Sequence, residues 1–275
     1  MDAEELLRAG RLDEAQNALE QAIRSNPADA KLRVFFFQLL AIFGQWDRSL
    51  TQLKVAAQLD AINLLTAQMY GAILSCEVFR SHVFAGEQTP LIFGRPDPWM
   101  GWLVQANILV AQGNYQAATE LRDRSFEAAP AIGGTVDGQG FEWLADADSR
   151  LGPMLEAIVD GKYYWVPFQA VKAIQIGDPK NLCDLVWVPA DFTWTNDGQS
   201  QGFIPTRYPH SEASEHDAVR LARRTEWIEK PAQTYFGLGQ RMFATDEREY
   251  AILSTRRIDL HHPGNCAKAQ ENHNG

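Results

Sequence analysis

Ala9–Ala15 reads AGRLDEA, and Phe43–Ser49 reads FGQWDRS, so that Gly10 and Gly44 lie 34 residues apart. This is the tetratricopeptide period. On that offset Leu12 falls on Trp46, Ala15 on Ser49, Leu19 on Leu53 and Ala22 on Ala56. Large apolar residues recur where the two helices of a hairpin would meet, and small ones recur where they would pass closely. A third copy follows Gly113 in QGNYQAATE, with Tyr115, Ala118 and Ser125 in the places of Trp46, Ser49 and Ala56. Pro130 follows Gly113 at the distance at which Pro27 follows Gly10.

Working outward, the pattern predicts a helical array over residues 1–130. Helices are expected over about Glu4–Ala9 and Leu12–Ser25, the second stopping before Asn26-Pro27. Asp29 is placed to cap the next helix, which carries Leu32, Phe35, Phe36, Leu39 and Leu40 at helical spacing. Further helices are expected over Trp46–Leu59, Asn63–Arg80, Pro98–Gln112 and Tyr115–Ala129, with a Pro- and Gly-rich break at 86–98. The concave face of such an array suits an amphipathic helix.

Past Pro130 the texture changes. The Gly-rich stretch 131–140, AIGGTVDGQG, reads as a flexible link, and 141–160 as one or two short helices. From Tyr163 onward short β-prone runs alternate with turn residues, including Asn196-Asp197-Gly198. The fold class expected is α+β: degenerate tetratricopeptide-like repeats (1–130), the link (131–140), a β-rich antiparallel or small-barrel domain (141–260) and a tail without order (261–275).

Composition narrows the function. The 275 residues carry 25 Lys and Arg against 35 Asp and Glu, net −10, with the acidity in both halves. Nucleic acid is therefore not expected as a partner, since phosphate contacts need clustered cations. The three cysteines form no CxxC pair. The N-terminus is acidic and lacks a signal-peptide pattern, and the run Val34–Phe43 is too short to span a bilayer, so a cytoplasmic chain without membrane or cofactor is expected.

Long strings in the second half resemble one family. GFEWLADADSRLGPMLEAIVDGKYYWVPF (Gly140–Phe168), DLVWVPA (Asp184–Ala190), IPTRYPHSE (Ile204–Glu212), LARRTEW (Leu221–Trp227) and GLGQRMFATDEREY (Gly237–Tyr250) are similar to the ImpE family, also called TagJ or SciE-type. The resemblance runs from about residue 5 to residue 255. It implies a non-catalytic accessory protein of the bacterial type VI secretion system, associated with virulence. Such a protein would hold an N-terminal helix of the small sheath subunit TssB and connect indirectly to the recycling ATPase ClpV.

Two surfaces are candidates for that partner: the repeat face with Phe36, Leu40, Trp46 and Tyr70, and the β-rich half around Tyr164, Arg207 and Trp227. Asp146 and Asp148 form the most enzyme-like pair, two carboxylates that could hold Mg²⁺ or Ca²⁺. The structural alternative pairs them with Arg150, Arg223 or Arg224 as ion pairs within the chain. A metal-dependent enzyme at that pair, or a purely structural scaffold, are the competing functions. Ser211 with His210, His216 and Asp217 has the residue types of a triad but no nucleophile elbow around the serine.

Overall fold

The computed structural model describes residues 2–262. Seven α-helices make up the first half, with one two-residue strand between the fifth and sixth: α1 (Ala3–Arg8), α2 (Leu12–Ser25), α3 (Ala30–Ile42), α4 (Trp46–Leu59), α5 (Leu64–Phe84), α6 (Pro98–Ala111) and α7 (Tyr115–Ala128). The three repeat glycines end α1, α3 and α6 in the left-handed region, with φ of 72° at Gly10, 66° at Gly44 and 79° at Gly113. At each, the residue after the glycine donates its N–H five residues back, Arg11 to Leu6, Gln45 to Leu40 and Asn114 to Leu109, and the glycine donates to the carbonyl three back. This is one C-terminal cap used three times, and it needs the conformation that glycine adopts without strain.

The small positions of the repeat sit at helix crossings. Ala15, Ser49 and Ala118 are buried, as are Ala56 and Ser125. Where serine replaces alanine its hydroxyl is satisfied across the hairpin: Ser49 Oγ donates to the Phe37 carbonyl and Ser125 Oγ to that of Trp99, both at 2.8 Å.

The strands are β1 (Leu91–Ile92), β2 (Gly134–Val136), β3 (Gln139–Phe141), β4 (Leu144–Asp146), β5 (Met154–Val159), β6 (Lys162–Pro167), β7 (Val171–Ile176), β8 (Trp187–Trp194), β9 (Gln199–Pro205), β10 (Thr225–Lys230), β11 (Thr234–Gly239), β12 (Met242–Thr245), β13 (Glu249–Ala251) and β14 (Arg257–Leu260). Nine form one open sheet in the order β1-β6-β5-β9-β8-β7-β14-β2-β3, antiparallel except for β1 on β6. β13-β12-β4 and the hairpin β10-β11 form two smaller sheets. The fold class is α+β, helical first and then β. Of the two β arrangements expected, the antiparallel one is present.

The large sheet is covered on both faces. Along β5, Met154 and Ile158 join the core shared with the helices, while Leu155, Ala157 and Val159 join a second core with Val188, Ile204 and Phe243. This corrects the helices expected over 141–160. A strand buried on both faces has no polar alternation and reads as an unbroken apolar block.

The stretch 131–140 is likewise not a loose link. It contains β2 and the start of β3, joined through Asp137 and Gly138, both at positive φ (49° and 80°). Gly134 is needed for close approach, because a Cβ there would lie 2.1 Å from the Asp259 carbonyl oxygen. The tail expectation for 261–275 falls, past His262, outside the described residues.

Candidate partner-binding site

The concave face of the helical array is filled by the chain's own β half. Phe36, Leu40 and Tyr70 are buried in the shared core with Trp187 and Trp165. Trp187 packs on Trp46 and Tyr70 with ring centroids 5.9 and 6.1 Å away, and Phe203 packs on Tyr70 at 6.1 Å. Of the repeat-face residues singled out from sequence, Phe36, Leu40 and Tyr70 thus face an internal partner, and Trp46 is half-buried beside it.

The β half also supplies the helix ends. Asp217 accepts the Leu12 N–H at 3.0 Å, standing in for the side-chain cap that Arg11 does not give α2. Arg223 donates to the Leu7 carbonyl at the end of α1 (3.2 Å). Arg207 donates to the Ile42 carbonyl at the end of α3 (2.9 Å) and to Arg220 O. Burial draws the Arg207 guanidinium down to about 10. Arg207 is therefore an internal capping residue and not an exposed anchor. Arg224 lies outside, ion-paired with Glu226 at 3.1 Å. Tyr164 packs edge-on against Phe93, and Trp227 stays 39% exposed on the β10–β11 hairpin beside Tyr208.

The two aspartates belong to a buried network. Asp148 accepts from Arg150 Nε at 2.8 Å and Nη2 at 2.6 Å, and from the Gly237 N–H at 2.8 Å. Asp146 accepts from the Asp148 N–H and pairs with Arg241, not with Arg223 or Arg224. Arg241 reaches Glu156 as well. Glu156 receives Arg80 of α5 (2.5 and 2.9 Å) and the Tyr163 hydroxyl (2.5 Å). Arg80 also pairs with Glu77, which accepts from the Trp187 indole at 2.8 Å. Both Asp carboxylates are thus filled by guanidinium and amide donors. Among the described residues no group of three or more His, Cys, Asp and Glu is placed to hold a metal ion.

Ser211, buried, donates to the Tyr208 carbonyl at 2.5 Å and accepts from the Gly239 N–H at 2.8 Å, a structural use of the hydroxyl.

The two carboxyls facing Arg241 are tuned in opposite directions. Burial, with the neighbouring Asp148 and Glu156 charges, pushes Asp146 up to about 6 against the pull of Arg241. Glu156 is held down at about 2, because Arg80 and Arg241 together outweigh its burial. Between pH 4 and 6 the folded chain therefore holds a proton on Asp146 that the unfolded chain releases, and Asp146 makes stability fall as pH rises through that window. Asp146→Asn removes this slope. Between pH 4.5 and 6.5 the variant is expected to gain about 1–3 kcal/mol relative to wild type in urea unfolding. Parallel trends for the two proteins would refute the assignment.

The open apolar surface lies elsewhere. Ile62 is 80% exposed, Leu65 79% and Met69 44%, and they fall on one side of the helical segment leading into and along α5. Below Met69 the stripe enters a groove of about 660 Å³ between α5 and the sheet, floored by Ile158, Ile176 and Phe203 and rimmed by Asp160, Asp178 and Asp191. Contiguous exposed apolar residues with a polar rim mark interaction sites. The span Ala61–Phe84 is long and apolar enough to cross a bilayer. Its lower half instead lies on the sheet, with buried Arg80 ion-paired to Glu156 of β5 and buried Glu77 accepting from the Trp187 indole of β8. Sequence reading missed this stripe because Ile62, Leu65 and Met69 look like an ordinary buried face. The signal present was an apolar helix with a charged pair, Glu77 and Arg80, in only one half.

Comparison with known proteins agrees with the strings singled out above. The family model described as ImpE protein matches residues 138–259. A type VI secretion system accessory component, TagJ, from Pseudomonas aeruginosa is 47% identical over 260 residues, 94% of this chain and 91% of that protein. The crystal structure of a protein from Vibrio parahaemolyticus superposes with a TM-score of 0.88 at 26% identity, covering 96% of this chain and 99% of that one. The chain belongs to the TagJ (ImpE) family of type VI secretion system accessory components.

Proposed function

We propose that this accessory component is a non-catalytic cytoplasmic adaptor that binds an N-terminal amphipathic helix of the small sheath subunit TssB and so links the sheath to remodelling by the ClpV ATPase. The observation that carries the reading is the exposed stripe Ile62, Leu65 and Met69 running into an open groove. A helix with apolar residues at i, i+3, i+4 and i+7 matches that geometry. The repeat face is not available for this role, since Trp187 and Phe203 already occupy it. A metal-dependent reaction at Asp146 and Asp148 is disfavoured, because both carboxylates are spent on buried arginines.

The test is a fluorescence-anisotropy titration of a labelled peptide covering the TssB N-terminal helix of the same secretion system, with a scrambled peptide as control. Saturable binding of the native peptide alone is expected. No binding at ~100 μM, where half-saturation corresponds to about 5.5 kcal/mol, would sink the helix-docking mechanism.

A further inference from the structure

The groove beside α5 is acidic as well as apolar. Asp160 sits in the β5–β6 turn, Asp191 on β8 and Asp178 just after β7, all exposed on the rim. Their surroundings differ. Asp178 is neutralised by Arg256, 2.5 Å away. Asp191 accepts from the neutral Gln201 amide, at 3.0 Å. Among the described residues no Lys or Arg forms an ion pair with Asp160 or Asp191, and Arg256 is the only cationic residue lining the groove. Two uncompensated carboxylates therefore stand beside a floor of Ile158, Ile176 and Phe203, with the Leu65–Met69 stripe leading in.

Resting on the adaptor reading, we propose that the occupant of this groove is an amphipathic helix carrying Lys or Arg beside its apolar stripe, with that cation held between Asp160 and Asp191. The apolar face would lie on Ile62, Leu65 and Met69. The flanking cation fixes direction and register, because only one orientation brings it to the carboxylates. The net charge of −10 adds a long-range field that speeds approach of such a segment and repels acidic ones. A second copy of this acidic chain is the poorer occupant on the same ground.

The experiment uses the full chain, the labelled TssB N-terminal peptide and the same peptide with each Lys and Arg changed to Gln. The protein variant is Asp160→Asn with Asp191→Asn. Both positions are exposed, so an unchanged melting temperature is expected and is measured first. The native peptide is expected to bind the variant about 5–10-fold more weakly, as two exposed pairs would give. Raising salt from about 50 to 300 mM should weaken the wild-type complex several-fold and leave the variant's affinity nearly flat. The Gln peptide should bind wild type and variant alike. Equal affinity and equal salt dependence for the two proteins would overturn this inference while leaving the adaptor reading intact. Absence of any peptide binding would overturn both. A concentration-dependent dimer that blocks the peptide and is lost in Leu65→Glu would assign the groove to a second copy and overturn the charged-helix proposal.

Discussion

Arg241→Met is expected to lower the stability of the chain by about 3–5 kcal/mol, a fall of roughly 10 °C in melting temperature for a protein of this size. Arg241 is fully buried between the Asp146 and Glu156 carboxylates and donates to the Pro205 carbonyl at 2.8 Å. Methionine fills a similar volume but leaves three buried acceptors without their donor. Glu156 keeps Arg80, so the heavier loss falls on Asp146, whose carboxyl already sits at about 6 and would stay protonated at neutral pH. Adding Asp146→Asn to Arg241→Met should therefore cost less than the sum of the two single changes, measured as urea midpoints at unchanged m. A loss below about 1 kcal/mol for Arg241→Met would show that the Arg241 pairs contribute little to the stability of the fold.

The network also bears on function. Glu156 on β5 holds Arg80 in the second half of α5, and Asp217, Arg207 and Arg223 hold the ends of α2, α3 and α1. Buried ionic groups of this kind serve best as register devices. Here they fix how α5 lies across the sheet. The first turns of the same helix, with Leu65 and Met69, are thereby left projecting beside the groove.

If the adaptor reading holds, Leu65→Glu is expected to weaken binding of the TssB peptide by about 100-fold while leaving the melting temperature within a degree or two of wild type. Burying a leucine side chain contributes about 1.5–3 kcal/mol, and a glutamate there must also be desolvated against an apolar partner face. Leu65 is 79% exposed in the free chain, so the folded state has little to lose. Phe36→Ala is expected to behave in the opposite way. It costs about 3–5 kcal/mol of stability, and the protein that remains folded binds the peptide with near wild-type affinity. Equal binding losses in the two variants would return the partner to the repeat face.

The helical half was legible because its signals are local. The 34-residue recurrence of Gly10 and Gly44, the stop at Pro27 and the Asp29 cap each act over a few residues, and Asp29 does accept from Lys31 and Leu32. The sheet was legible where strands alternate, as along β7, and illegible at β5, where both faces are covered and Glu156 is a single polar residue among apolar ones.

The site was hardest to see. Whether Tyr70 or Leu65 is the free residue on α5 depends on Trp187 and Phe203, more than 100 residues away, filling one side of the array. The partners of Asp146 and Glu156 were hidden for the same reason, since Arg241 lies 95 and 85 residues further on. No spacing rule connects positions that only the completed fold brings together.

With the array's inner face occupied from within, the adaptor reading requires the partner helix to dock on α5. Hydrogen–deuterium exchange of the full chain, with and without saturating TssB peptide, tests it most directly. Protection is predicted over residues 59–73 and across the β5–β6 turn at 158–162, with no change over 31–46 or the 225–239 hairpin. Protection centred on 31–46 or on the hairpin, with residues 59–73 unchanged, would contradict it.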